Sequence, residues 1–220
     1  MNRSELRTAI RLRTGMLTDD QMGTDTNLNS LITDAINYLT IEAPAGWPWQ
    51  VYYGSFDTVA GTETYTFATI DATNTLLRIA TLIMDIDGGH EVELSQQGPS
   101  DLRTYMARTP QGSPECWAVD GATVLLRPVP SAVYTIRFKG YKAEPTLSGD
   151  SASPLMPSVF HNAIVEQAAY LWYRRVGNMD AASIAKAETT HLVQKMQAYS
   201  RQSGGPSRIR DVRERQGGQW

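Results

Sequence analysis

The chain has 220 residues, 41% hydrophobic and 20% charged, with a formal net charge of −3. These are ordinary values for a soluble globular protein of one good-sized domain or two small ones, and they do not suggest a nucleic-acid coat. Cys116 is the only cysteine, which excludes an intrachain disulfide and a cysteine-based zinc site. The first residues, MNRSELRTAI, contain no apolar run of signal-peptide length. The greasiest stretch, Leu76 to Ile86, is interrupted by Arg78 and Thr81 and is too short to span a bilayer. The expectation is a protein made in a reducing cytoplasm, with no membrane partner.

Ser4 is a candidate cap for a first helix running to about Arg13, with Leu6, Ala9 and Ile10 on one side and Gly15 after it. In the second helix Leu28, Leu31, Ile32, Ala35, Ile36 and Leu39 fall at the offsets of one stripe. Asp25 or Thr26 is its expected cap and Pro44 its stop.

From Trp47 to Tyr141 the composition turns to Val, Thr, Tyr and Ile, punctuated by turn signals. Expected strands are Trp49 to Tyr53, Thr62 to Phe67, Leu76 to Ile86, Glu91 to Leu94, Cys116 to Val119, Thr123 to Arg127, and Tyr134 to Phe138. Asp87-Gly88-Gly89 and Asp120-Gly121 are hairpin turns by composition. Pro99 to Ala107 reads as a short helix.

A flexible stretch, Ser148 to Pro157, precedes two further helices. The first opens at Pro157 or Ser158, with Phe160, Ala163, Ile164, Ala168, Leu171 and Trp172 inward, and ends near Gly177. The second follows Asn178 or Asp180 and carries Ala181, Ala185, Leu192, Met196 and Tyr199 inward. Each stripe is too wide to leave in water, so the helix pairs should pack together. The expected fold is α+β. A four-helix domain of N- and C-terminal helix pairs (1–46 and 148–202) carries an inserted antiparallel β-sandwich or barrel (47–147) and a flexible C-terminal tail (203–220).

That tail is the most unusual segment. Glycine pairs and Pro206 bracket a piece in which Arg208, Arg210, Arg213 and Arg215 interleave with Ile209 and Val212, and the sequence ends on Trp220. It is too small to offset its own ordering entropy, so it is either disposable or ordered by another surface. Residues 1–157 carry 18 acidic and 11 basic side chains, whereas residues 158–220 carry 5 and 9. A basic end of this kind suits an acidic protein surface at least as well as phosphate.

Candidates for chemistry are few. Glu188 and His191 have the i, i+3 spacing that carboxylate-bridged di-iron bundles use, but the helix bearing His161 and Glu166 supplies no second copy. His90 and His161 lack zinc spacing. Asp85, Asp87, Glu91 and Glu93 resemble a calcium loop, yet the position needing a bidentate glutamate is Gln96. A turn and the solvated face of a half-buried strand explain them better. Cys116, beside Trp117 on a strand, reads as an inert buried thiol. No Walker loop, G-x-G-x-x-G or G-x-S-x-G occurs. The sequence therefore points to no catalytic, cofactor-binding or metal-ligating residue. Trp47 and Trp49, with Tyr52 and Tyr53, could form a stacking platform for sugars or bases, a plug at a domain junction, or a subunit contact.

The capped helix ending at Gly15, the segment LNSLITDAINYLTIEA, the Trp47-Pro48-Trp49 lead into β structure, and the late helix pair FHNAIVEQAAYLWYRRVGNMDAASIAKAETTHLVQKM together resemble a known layout. It is that of the head-to-tail adaptor (connector) proteins of tailed bacteriophages, including the tail tubular type. The resemblance implies a non-enzymatic virion protein of the neck. About a dozen copies would form a ring below the portal protein, extend the channel for passing double-stranded DNA, and seat a downstream tail or nozzle protein. It also implies portal docking by the C-terminal segment, which here places that role on Arg208, Ile209, Arg210, Val212, Arg213, Arg215 and Trp220. The alternatives are a virion cell-wall glycosidase, for which no carboxylate pair stands out, and a tail-completion or carbohydrate-binding module.

Overall fold

The computed structural model describes residues 1–16, 23–43, 46–73, 75–86, 90–106 and 111–203, without the side chains of 103–106 and 202–203. The fold is α+β. Among the described residues there are six α-helices and two four-stranded sheets. Contacts divide the chain into two compact units, one formed by Met1–Pro44 with the chain from Leu147 on, the other by Ala45–Thr146.

In the first unit, α1 (Arg3–Thr14) begins one residue before the expected cap. Asn2 caps it in place of Ser4, because a capping box is available there. Asn2 Oδ1 accepts from the Glu5 N–H at 2.9 Å, and Glu5 Oε2 accepts from the Asn2 N–H at 2.9 Å. The N–H groups of Arg3 and Ser4 donate to the carbonyls of Ala152 and Asp150 at 2.8 and 3.2 Å. Residues 150–152, within the stretch expected to be flexible, are thus tied to α1 by the donors its first turn leaves over. Gly15 closes the helix in the left-handed region, φ 72°.

Helix α2 (Asp25–Ile41) is capped by Thr24, whose hydroxyl accepts from the Asn27 N–H at 3.4 Å, one residue earlier than expected. The expected stop, Pro44, lies outside the described residues. A single 3₁₀ turn, Ser158–Phe160, leads into α5 (His161–Arg175), and α6 runs Met179–Ser203. Asn178 caps α6, accepting from the Ala181 N–H at 3.1 Å. Helix α5 packs against α1, α2 and α6. It buries Ala163, Ile164 and Ala168 among Leu6 and Ile10 of α1, the α2 stripe, and Ala182, Ala185, Val193 and Met196 of α6. The α6 stripe is rotated from the expected one. Ala181 and Leu192 are half-buried and Tyr199 is 43% exposed, its ring edge-on to Phe160.

In the second unit, Pro48–Gln50 is a 3₁₀ turn, so β1 (Val51–Asp57) starts two residues later than Trp49. Strand β2 is only Thr64–Thr66, because the Thr66 hydroxyl caps the short α3 (Phe67–Ile70). β3 (Leu76–Ile86) pairs with β4 (His90–Glu93), while the Asp87-Gly88-Gly89 turn lies outside the described residues. β5 (Ser95–Gln96), α4 (Pro99–Met106), β6 (Cys116–Asp120), β7 (Thr123–Arg127) and β8 (Thr135–Lys142) complete the unit. Strand β4 is exposed throughout rather than half-buried, and the inward residue is Leu94 just beyond it.

The sheets run β1-β8-β3-β4 and β2-β7-β6-β5. Neither closes into a barrel. Pairing is antiparallel except β5 with β6, which is parallel. One apolar core draws on both sheets: Leu82 and Met84 of β3, Ile136 and Phe138 of β8, Val124 and Leu126 of β7, and Trp117 of β6. Trp117 donates its indole N–H to the Leu94 carbonyl at 3.1 Å.

Candidate functional site

Helical spacing places Arg3, Arg7 and Arg11 on one line of α1. Arg3 donates to Asp150 at 3.0 Å and to the Leu147 carbonyl at 2.6 Å. The Arg7 side chain, 7% exposed, bridges Asp25 at 3.0 Å and Asp150 at 2.9 Å. Arg11 reaches Asp25 at 2.6 Å and the Gly23 carbonyl at 2.9 Å. These guanidiniums hold the Asp150 carboxyl below the usual carboxylate range, the hydrogen bond from Arg3 contributing most. Three arginines therefore lock two chain segments onto one helix. Their i, i+4, i+8 spacing was readable in the sequence, but their partners were not.

On α5, Glu166 accepts from Arg13 Nε at 2.8 Å. That bond raises the already high Arg13 pKa further. Ala9, Leu12 and Arg13 of α1, Asn162, Val165 and Glu166 of α5, and Glu188 and Leu192 of α6 line a groove of about 560 Å³. Glu188 and His191 are exposed, and Glu188 belongs to this groove. Among the described residues, no group of three or more His, Cys, Asp or Glu could hold a metal ion.

His161 is buried, with the Met1 amino group against Nδ1 and the Met156 carbonyl 2.8 Å from Nε2. Burial lowers its pKa, assisted by the nearby Met1 ammonium. In the acidic run, Asp85 and Glu91 sit opposite each other on β3 and β4, and Arg137 of β8 pairs with both. A cation is already supplied there by the protein. Asp87 lies outside the described residues.

Cys116 is half-buried in a hollow of about 440 Å³ whose described lining is Ser95, Gln97, Asp101, Leu102, Glu115 and Cys116. Burial, then the Glu115 charge, pushes the thiol pKa up. A protonated thiol is a poor nucleophile.

Trp47 is 1% exposed and stacks on Trp49 with centroids 4.9 Å apart and planes 7° from parallel. The Trp47 N–H donates to the buried Gln50 Oε1 at 3.0 Å. Trp47, with its ring sealed in this way, presents no open face to a sugar or a base. Tyr53 stands 69% exposed on β1. The tail residues Arg208, Ile209, Arg210, Val212, Arg213, Arg215 and Trp220 lie outside the described residues.

Residues 1–212 match the family model described as SU10 adaptor protein. The chain belongs to that family. The adaptor is accordingly a structural protein of the phage head-to-tail junction, and membership implies association with portal and tail proteins. No curated protein matches the chain. Among the described residues of the adaptor, no helix is long and apolar enough to cross a membrane.

Proposed function

We propose that this adaptor forms a closed ring of about a dozen copies in the virion neck, beneath the portal. The ring continues the DNA channel and offers a seat to a downstream tail or nozzle protein. Its helical unit acts as a four-helix body and its β unit as an inserted sandwich. The observation that carries this reading is the family match over residues 1–212.

Portal attachment falls to Arg208, Ile209, Arg210, Val212, Arg213, Arg215 and Trp220. Arginine without lysine suits planar, bidentate pairing with carboxylates on an acidic portal surface. The stacked Trp47–Trp49 pair serves a domain or subunit interface. The burial of Trp47 and its stacking on Trp49 support that role over ligand stacking.

Cryo-electron microscopy of the particle neck tests the ring: density for this chain in a closed ring at the portal vertex is expected, and absence of the chain from virions refutes the proposal. Removing residues 204–220 should leave the circular dichroism of the body unchanged and weaken portal binding. Undiminished portal binding by the folded truncation refutes the tail assignment.

A further inference from the structure

The groove between α1, α5 and α6 mixes apolar and charged lining. Ala9, Leu12, Val165 and Leu192 are its apolar members, and Leu12 is 81% exposed. Arg13 occupies only one oxygen of Glu166, and the buried Oε2 of the same carboxylate has no hydrogen-bond partner. Glu188 adds a second carboxylate, so the lining carries one negative charge in excess. An apolar groove with spare acceptors fits a segment that alternates apolar and guanidinium side chains.

Residues 204–220 are such a segment, with four arginines against Asp211 and Glu214, and with Ile209 and Val212 between them. They continue directly from α6, the helix that supplies Glu188 and Leu192. Leu192 lies about 17 Å along the helix axis from the end of α6 at the usual rise per residue. Gly204-Gly205-Pro206 has the composition of a chain reversal. An extended chain covers about 3.3 Å per residue, so residues 207–212, beyond that tripeptide, span roughly 20 Å. Val212 and everything beyond it can therefore return to the groove of the same molecule. A tether this short gives an effective concentration of the order of millimolar, which favours the chain's own groove over a neighbour's.

We infer that in the unassembled protein the segment Asp211–Arg215 lies in the α1/α5/α6 groove of its own chain, with Val212 against Leu12 and Leu192 and with Arg213 and Arg215 on Glu166 and Glu188. The inference stands whether or not the segment later docks on a portal, because it concerns the free protein alone. Occupation of the groove withholds the arginines and apolar residues from other acidic surfaces until a stronger competitor displaces them.

Cross-linking in the full-length chain tests this. With Cys116→Ala in the background, Leu12→Cys is paired with Val212→Cys, and a control pairs Ser30→Cys, exposed on α2 and outside the groove lining, with Val212→Cys. At low micromolar protein under mild oxidation, the Leu12/Val212 pair should form an intramolecular disulfide at least about fivefold faster than the control. Adding Glu188→Lys should slow it toward the control rate, since that exposed substitution reverses a groove charge without touching the core. Equal rates for the two pairs overturn the inference, as do cross-links found only between chains. A rate indifferent to Glu188→Lys overturns the assigned charge pairing.

Discussion

Arg7 offers the sharpest test of how the helical unit is held. Its guanidinium bridges Asp25 and Asp150, and its stem is buried in α1's inner face. Both carboxylates are more than half exposed, so removing the arginine strands no buried charge, and the cost divides into a screened charge part and a packing part. Arg7→Met keeps most of the stem and loses the ion pairs, which should cost about 1–2 kcal/mol. Arg7→Ala also strips the buried Cγ and Cδ methylenes, adding about 1.5 kcal/mol. Urea unfolding followed at 222 nm, where the helices dominate, reads both. With a slope of about 2 kcal/mol/M, the midpoints should fall by roughly 0.5–1 M and 1.3–1.7 M. Raising the salt to about 1 M shortens the screening length to about 3 Å, so the Met variant should approach wild type while the Met–Ala gap persists. Met and Ala variants of equal stability, or both within about 0.5 kcal/mol of wild type, refute the reasoning.

Gly46→Ala should destabilise the β unit by about 2–4 kcal/mol. Gly46 sits at φ 78°, and an added Cβ would fall 2.3 Å from the Tyr141 ring, which combines backbone strain with overpacking; near-UV unfolding curves of the variant check this, and a wild-type midpoint refutes it. His161 predicts a pH dependence. Its pKa is lowered on folding, so the unfolded chain binds more protons between the folded value and the unfolded value of about 6.5. Stability is complete above that value and falls as pH drops through the folded pKa. The loss should be smaller in His161→Asn across pH 6.5 to 5, above the range in which Asp150 titrates. Parallel pH profiles of the two proteins contradict it.

The helices of the adaptor were legible because their stripes repeat with the helical period and their ends carry local signals such as Gly15 and Asn178. The helix starts moved by one or two residues wherever a neighbouring side chain made a better cap, as Asn2 did with Glu5. Hairpin strands were equally local, and β6 and β7 needed only the Asp120-Gly121 turn. Sheet order was not legible: β8 lies between β1 and β3 by pairing across long sequence separations that no window of residues contains. The same non-locality hid the arginine stripe. Arg7 looked like a solvated helix position until Asp150, more than a hundred residues further along the chain, came beside it. Trp47 and Trp49 were recognisable as a cluster, but neither the stacking of their rings nor the burial of Trp47 could be read from the sequence.

The division of the chain has a consequence for synthesis. Every strand of the β unit has left the ribosome before α5 begins, so that core can close early. Helices α1 and α2 emerge first yet acquire their packing partner α5 late. During that interval the stripe of Leu28, Leu31, Ile32 and Leu39 stands uncovered in a crowded cell. The first-made helices are therefore the last to be shielded, and it is this interval, rather than the finished fold, that exposes the nascent adaptor to aggregation and to chaperones.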